Sequence, residues 1–173
     1  MNGDVGVESA RFRIFRRKDA GEYGAMEEVI DSSDVVAQGL QDFYGSGGGE
    51  GVEVKVLFAG AGFSLIYAWF KSGFPLARHI HDHDCLYYIV SGTVRVGSEE
   101  LEAGDGFFVG AGVPYTHTAG EEGLEVLEFR HTEAFTTKFL GAPAYWTKAL
   151  ATIAERREQW AVERRPGNTM VSA

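Results

Sequence analysis

The chain has 173 residues, of which 45% are hydrophobic and 13% aromatic, enough for one domain with a substantial core. Sixteen basic residues against twenty-five acidic ones give a net charge of −9, which repels phosphate backbones and gives anionic membranes nothing to attract, so nucleic acid and membrane partners are not expected. A single cysteine cannot form an internal disulfide and no N-terminal apolar run looks like a signal peptide, so a cytoplasmic setting is expected.

Residues 1–10 are polar and read as a loose terminus. Arg11 to Arg17 alternates Arg11, Arg13 and Arg17 with Phe12, Ile14 and Phe15 and predicts a strand with a solvated basic face. A short helix over Asp34–Tyr44 follows the capping cluster Asp31-Ser32-Ser33. The run Gly45-Ser46-Gly47-Gly48-Gly49-Glu50-Gly51 predicts a mobile linker; it lacks the Lys-Ser/Thr of a phosphate-binding loop.

From Val52 the pattern becomes short β-type runs: Val52–Phe58, Gly62–Phe70, Cys85–Val90, Thr93–Val96, Gly106–Val109, Tyr115–Thr118 and Leu124–Arg130. Turns are expected at Ser91-Gly92, Gly97-Ser98, Ala103-Gly104-Asp105 and Gly120-Glu121-Glu122-Gly123. Such spacing without intervening helices predicts an antiparallel sandwich or barrel. Trp146, Ala149, Leu150, Ile153, Trp160 and Ala161 fall at helical spacing before Pro166-Gly167, which predicts an amphipathic C-terminal helix packed on the barrel or on a partner. The expected organisation is an arm with strand, helix and linker over 1–51, a β-barrel over 52–140, and the helix and tail over 141–173.

The densest chemistry lies between residues 79 and 85, which hold three of the five histidines and the only cysteine. Side chains alternate faces along a strand, so His79, His81, His83 and Cys85 can all point one way. Two imidazoles at i, i+2 can lean together on one ion, so the run reads as half of a metal site. Tyr87 shares this parity and Tyr88 does not, which favours Tyr87 as a cavity group able to donate a proton or position a substrate. Phe63, Tyr67, Trp69, Phe107, Phe108, Tyr115 and Phe129 are candidates to line a pocket, about half of them belonging instead to the core.

Gly73, His79-Ile80-His81, Cys85 and Gly92 resemble the first motif of the cupin superfamily, with Cys85 at the usual Glu position. Gly104-Asp105 through Gly110, Gly112 and Pro114 resemble the second motif, with Gly110 for Pro, Tyr115 at the His position and Ala119 at the Asn position. The resemblance implies an all-β fold, a single double-stranded β-helix or jelly-roll barrel with the C-terminal α-helix added. It also implies one divalent metal held by His79, His81 and a third imidazole, His117, two residues late but on the same strand face. His83 and His131 then become rim residues. Cys85 is either a thiolate ligand or a small thiol in the wall, and the family's thiol dioxygenases join such a Cys to a Tyr, for which Tyr67, Tyr87 and Tyr115 are the neighbours to consider.

Three neutral imidazoles leave an ion at net +2, which suits an anionic bidentate substrate. The implied function is a cupin enzyme, foremost an Fe(II) dioxygenase of a small aromatic or keto substrate with Tyr87 or Tyr115 orienting it. The alternatives are a Lewis-acid cyclase, isomerase or lyase with Zn or Ni, and a binding module that holds a small ligand without turnover. A homodimer formed through the N-terminal arm is the expected assembly, and no DNA-binding helix pair precedes the barrel.

Overall fold

The computed structural model describes residues 12–30 and 33–167. Its strands are β1 (Gly21–Glu22), β2 (Glu27–Ile30), β3 (Val52–Gly60), β4 (Phe63–Phe70), β5 (His79–His81), β6 (Cys85–Val96), β7 (Glu99–Glu102), β8 (Gly106–Val109), β9 (Thr118–Arg130) and β10 (Phe135–Phe139), with helices α1 (Asp34–Gly45) and α2 (Pro143–Val162). A seven-stranded sheet runs β1-β3-β4-β9-β6-β7, with β8 also paired to β6, and a three-stranded sheet runs β2-β10-β5. The two sheets are separate hydrogen-bonded units, so the jelly-roll-like body is a two-sheet sandwich rather than the expected closed barrel, and with two helices the chain is not all-β.

Alternation sets which side chains enter the sandwich. Along β6, Cys85, Tyr87, Ile89 and Ser91 are buried while Leu86 and Tyr88 face out, and along β9 Leu124, Val126, Glu128 and Arg130 are buried. The turns expected at Ser91-Gly92 and at residues 120–123 are instead kinks inside β6 and β9, with register shifts at Ile89/Ser91 and Gly92/Val94. Gly92 and Gly123 both have positive φ, and a Cβ on Gly92 would meet the Gly123 carbonyl oxygen at 2.1 Å. The two long strands bend together at that contact, which neither could make with a side chain.

Two further expectations, the basic strand and the glycine linker, are corrected, and the capped helix between them is found. Residues 12–16 form no strand, and Arg11 lies outside the described residues. The edge of β3 is taken by β1, with Gly21 opposite Val56, while Arg13 lies over the Phe58 ring and Arg17 over Tyr67. The capping residues Asp31 and Ser32 are also outside the described residues, but Ser33 caps α1, its hydroxyl accepting from the Val36 amide at 3.3 Å. The glycine tract is not a loose linker: Gly48–Gly51 is a 3-10 turn, and Cβ atoms at Gly48 and Gly51 would come within 2.3 Å of Phe43 and 2.6 Å of Phe74. Its glycines are there so that α1, α2 and the body can approach closely.

Helix α2 buries Trp146, Ala149, Ile153 and Trp160. Trp146 lies on Gly39 of α1, where a Cβ would sit 2.2 Å from its ring, and the Trp160 indole donates to the Ser72 carbonyl at 3.0 Å. The helix therefore fastens α1 and the glycine turn to the sandwich. Gly51→Ala is expected to lower stability by about 1–3 kcal/mol through overpacking against Phe74 and Trp160. A urea denaturation midpoint equal to that of the parent protein would show the tract to be a spacer after all.

Candidate active-site cavity

His79 and His81 stand on β5, which β10 holds in the smaller sheet by pairing Thr137 with His81 and Phe139 with His79. Across β5, Tyr115 exchanges backbone hydrogen bonds with His79, each at 3.0 Å. The side chains converge as that pairing requires: the ring centroids of His79 and His81 are 4.8 Å apart and that of Tyr115 is 4.3 Å from His79. They line a cavity of about 120 Å³, room for a small organic molecule rather than one water.

The cavity has a polar end and an apolar end. At the polar end, His79, His81, Tyr115, Tyr87, Glu128, Thr137, Glu27 and Tyr23 meet; His117 is also in the wall; Phe43, Phe70, Phe74, Phe139 and Trp146 supply much of the apolar part. Of the aromatic residues the sequence offers as lining, Tyr115 is in the wall, while Phe63, Phe108 and Phe129 are exposed. Glu27, Tyr23 and Phe43 belong to the segment expected to be a peripheral arm. Glu27 reaches the cavity through the parallel pairing of β2 with β10, which opposes it to Phe135, and Phe43 reaches it from α1.

All three imidazoles are buried and neutral. Burial holds His79 down to about 4 and His81 and His117 to about 3, with Arg130 adding to the effect on the first two. His79 Nδ1 donates to the Ala77 carbonyl at 2.8 Å, which leaves the lone pair on Nε2. Arg130 is fully buried and has no lone pair to offer, so its Nη2 donates to His81 Nε2 at 3.2 Å. His81 must then carry its proton on Nδ1, which donates to Thr137 Oγ1 at 3.0 Å; the Thr137 hydroxyl donates onward to Glu27. Burial raises the Glu27 pKa, partly offset by hydrogen bonds from Thr137 and Tyr23.

Tyr87 and Tyr115 share a short hydroxyl–hydroxyl contact, and burial, then the charge of Glu128, raises both pKa values well above the ordinary range. Both are phenols, able to donate. Cys85 is 1% exposed, and burial followed by the nearby Glu128 pushes its thiol up to about 12. It is a protonated thiol in the wall, hydrogen-bonded to Tyr87. His83 bonds its neighbour Asp82 at the half-exposed rim, and the exposed His131 ring lies against Phe63.

The donor set was expected to hold a metal through His79, His81 and His117, with Cys85 beside it. Among the described residues no three His, Cys, Asp or Glu side chains come together in a group that could hold an ion. His117 lies against Phe70 and Phe107, its Nδ1 buried without a hydrogen-bond partner among the described residues, and the position facing His79 belongs to Tyr115. With the His81 Nε2 lone pair engaged by a guanidinium, this arrangement does not fit the expected centre.

The fold is thus a two-sheet β-sandwich with a partly open cavity lined by His, Tyr and Glu side chains. No family model and no curated protein matches the chain. Solved structures do: an RmlC-like cupin from Shewanella frigidimarina at 26% identity over 49% of this chain and 78% of its own, TM-score 0.43; the polyketide cyclase RemF from Streptomyces resistomycificus at 18% over 55% and 76%, TM-score 0.46; and salicylate 1,2-dioxygenase from Pseudaminobacter salicylatoxidans at 16% over 53% and 31%, TM-score 0.46. Likenesses of this size assign no role to a side chain. No helix among the described residues is long and apolar enough to cross a membrane.

Two expectations follow. Each histidine has its folded pKa pulled below the ordinary 6.5, so the unfolded chain binds more protons and stability falls as pH drops from 6.5 toward 4. Glu27 works the other way, its contribution present at low pH and lost as its carboxyl ionises. Three groups against one predict a Tm roughly 10 °C lower at pH 4.5 than at pH 7 by circular dichroism; an unchanged Tm would mean that the rings are solvated. Cys85 is expected to resist iodoacetamide in the native protein at pH 8 and to react within minutes in urea.

Proposed function

We propose that this protein is a non-redox cupin enzyme that moves a proton on a small, flat, largely apolar keto or phenolic molecule, as an isomerase, cyclase or lyase does. The observation that carries this reading is the His79–Tyr115 pair: a neutral imidazole whose Nε2 lone pair can accept a proton, beside a buried phenol that keeps its own proton to donate. A carbonyl oxygen accepting from the Tyr115 or Tyr87 hydroxyl places negative charge where those donors stabilise it as the neighbouring C–H proton passes to Nε2. The same proton returned to another atom gives the rearranged product, with nothing oxidised. The rings of Phe70, Phe74 and Phe139 suit a flat ligand.

The iron dioxygenase and the zinc or nickel Lewis acid expected from the sequence both need three donors on one ion, and the bonds made by His81 and the place of His117 favour the metal-independent chemistry instead. In D2O with EDTA, the protein is expected to exchange the α-hydrogens of at least one compound among α-keto acids, β-diketones and hydroxyaryl ketones, followed by NMR. His79→Gln should slow that exchange by about 10²-fold or more. Oxygen uptake that needs both Fe(II) and substrate would overturn the proposal, as would tight binding with no exchange across the panel, the behaviour of a binding module.

A further inference from the structure

Arg130 is the residue that the expected chemistry leaves without a task. It sits at the end of β9, where a long charged side chain ordinarily reaches water, yet its exposure is 0%. Its Nη2 reaches Glu128 Oε2 at 3.0 Å and His81 Nε2 at 3.2 Å, and its guanidinium lies 4.1 Å from the centroid of the Phe135 ring. The groups around it are Glu128, His81, His79, Tyr87, Cys85 and Tyr23, of which Glu128 is the anion at hydrogen-bond distance. Burial by itself would lower its pKa, but Glu128, with Tyr87, Cys85 and Tyr23 adding to it, more than offsets this, so it stays a cation.

Stability does not account for this placement. Nε and Nη1 are buried with no partner among the described groups, and a buried ion pair with unmet donors contributes less than a well-packed apolar side chain of the same volume. What the guanidinium does achieve is geometric. By donating to Nε2 it fixes which nitrogen of His81 holds the proton, and so sets the direction of the chain His81 Nδ1–H to Thr137 Oγ1–H to Glu27.

We propose that Arg130 is the cation behind this cavity's wall, standing at His81 Nε2 where a metal would otherwise bond, and that it is a positioning residue that holds His81 as the Nδ1–H tautomer in a relay ending at Glu27. Glu128 fixes the guanidinium, and Thr137, paired with His81 across β5 and β10, passes the hydrogen bond to the carboxyl. The relay's part in turnover rests on the proton-transfer reading above, whereas the cation's place at His81 does not. No metal-bound form of His81 can exist until Arg130 leaves.

The test uses the full chain with 15N-labelled histidine. In the parent protein at pH 7.5, two-bond 1H–15N correlation is expected to show His81 protonated at Nδ1 and bare at Nε2, with no change on adding EDTA or one equivalent of Zn(II), and Co(II) titration should give no stoichiometric uptake. In Arg130→Met the His81 signals should move to a mixture of tautomers or to Nε2–H, with Tm unchanged or raised, and Arg130→Lys should recover the Nδ1–H form in part. An Nε2–H ring in the parent protein, one equivalent of bound Co(II) with shifted His81 signals, or an Nδ1–H ring that persists in Arg130→Met would each overturn the proposal. If Arg130→Met does not fold, the parent spectra and titrations decide. A parent protein that shows the Nδ1–H tautomer but exchanges no substrate hydrogens supports the cation's place and sinks the proton-transfer reading alone.

Discussion

A guanidinium enclosed among aromatic rings has to be neutralised where it stands, and much of the cavity's polar end is arranged around that requirement. Arg130 enters because β9 alternates without interruption from Leu124, so that every second residue down to the strand's end turns inward. Glu128, two residues earlier on the same face, supplies the counter-charge, and Phe135 supplies a ring face. Burial keeps the nearby imidazoles neutral, and a second positive group beside Arg130 would be unfavourable, which adds to the effect on His79 and His81. The phenols and the thiol hold their protons for the complementary reason, burial beside the Glu128 carboxylate. Charge in the cavity wall is thus concentrated in Glu128 and Glu27, one paired and one pushed toward neutrality.

The enclosure of this cavity comes from chain segments far apart in sequence. The parallel pairing of β2 with β10 brings Glu27 to Thr137 and so completes the hydrogen-bond chain from His81. Helix α1 adds Leu40 and Phe43, and is pressed into place by Trp146 over Gly39 and by Phe43 over Gly48. Trp160, fully buried, locks α2 to Ser72. A seal built from glycine contacts is rigid in one respect: any added Cβ has to displace an aromatic ring.

Strand parity is legible in the sequence within each strand, because a period of two needs only the residue types: His79 and His81 are buried on β5, and Cys85 and Tyr87 are buried on β6 of the other sheet while Tyr88 faces out; His83, expected on the same face, lies between the strands and is half-exposed. Parity fixes a face but not a place along it. A displacement of two residues is about 6.6 Å, so His117 keeps an inward direction and lines the same cavity as His79, while the backbone position paired with His79 belongs to Tyr115. The kinks at Gly92 and Gly123 look like turns in sequence because glycine serves both, and only the partner strand distinguishes them. The glycine tract misled for the opposite reason: composition reports freedom of the backbone and is silent on rings waiting to pack against it. Arg130 carried no signal at all, since an arginine closing a strand is ordinarily solvated; the nearest hint was Glu128 two residues before it, a pairing that lies on one strand face.

Two of the four departures from the motifs that the chain resembles are chemically of one kind. Cys85 stands where the motif has Glu, and Tyr115 where it has His. In each case a group that readily gives an ion a lone pair is replaced by one that keeps its proton when buried: the thiol is pushed to about 12 and the phenol well above its ordinary range. Each change alone would weaken a metal centre. Together they turn the wall from lone-pair donors into proton donors, with His79 Nε2 left as the free base and Arg130 supplying the positive charge beside it. A site of this composition has the means to polarise a carbonyl and accept a proton from the carbon next to it, and it obtains both from side chains that the fold holds in place.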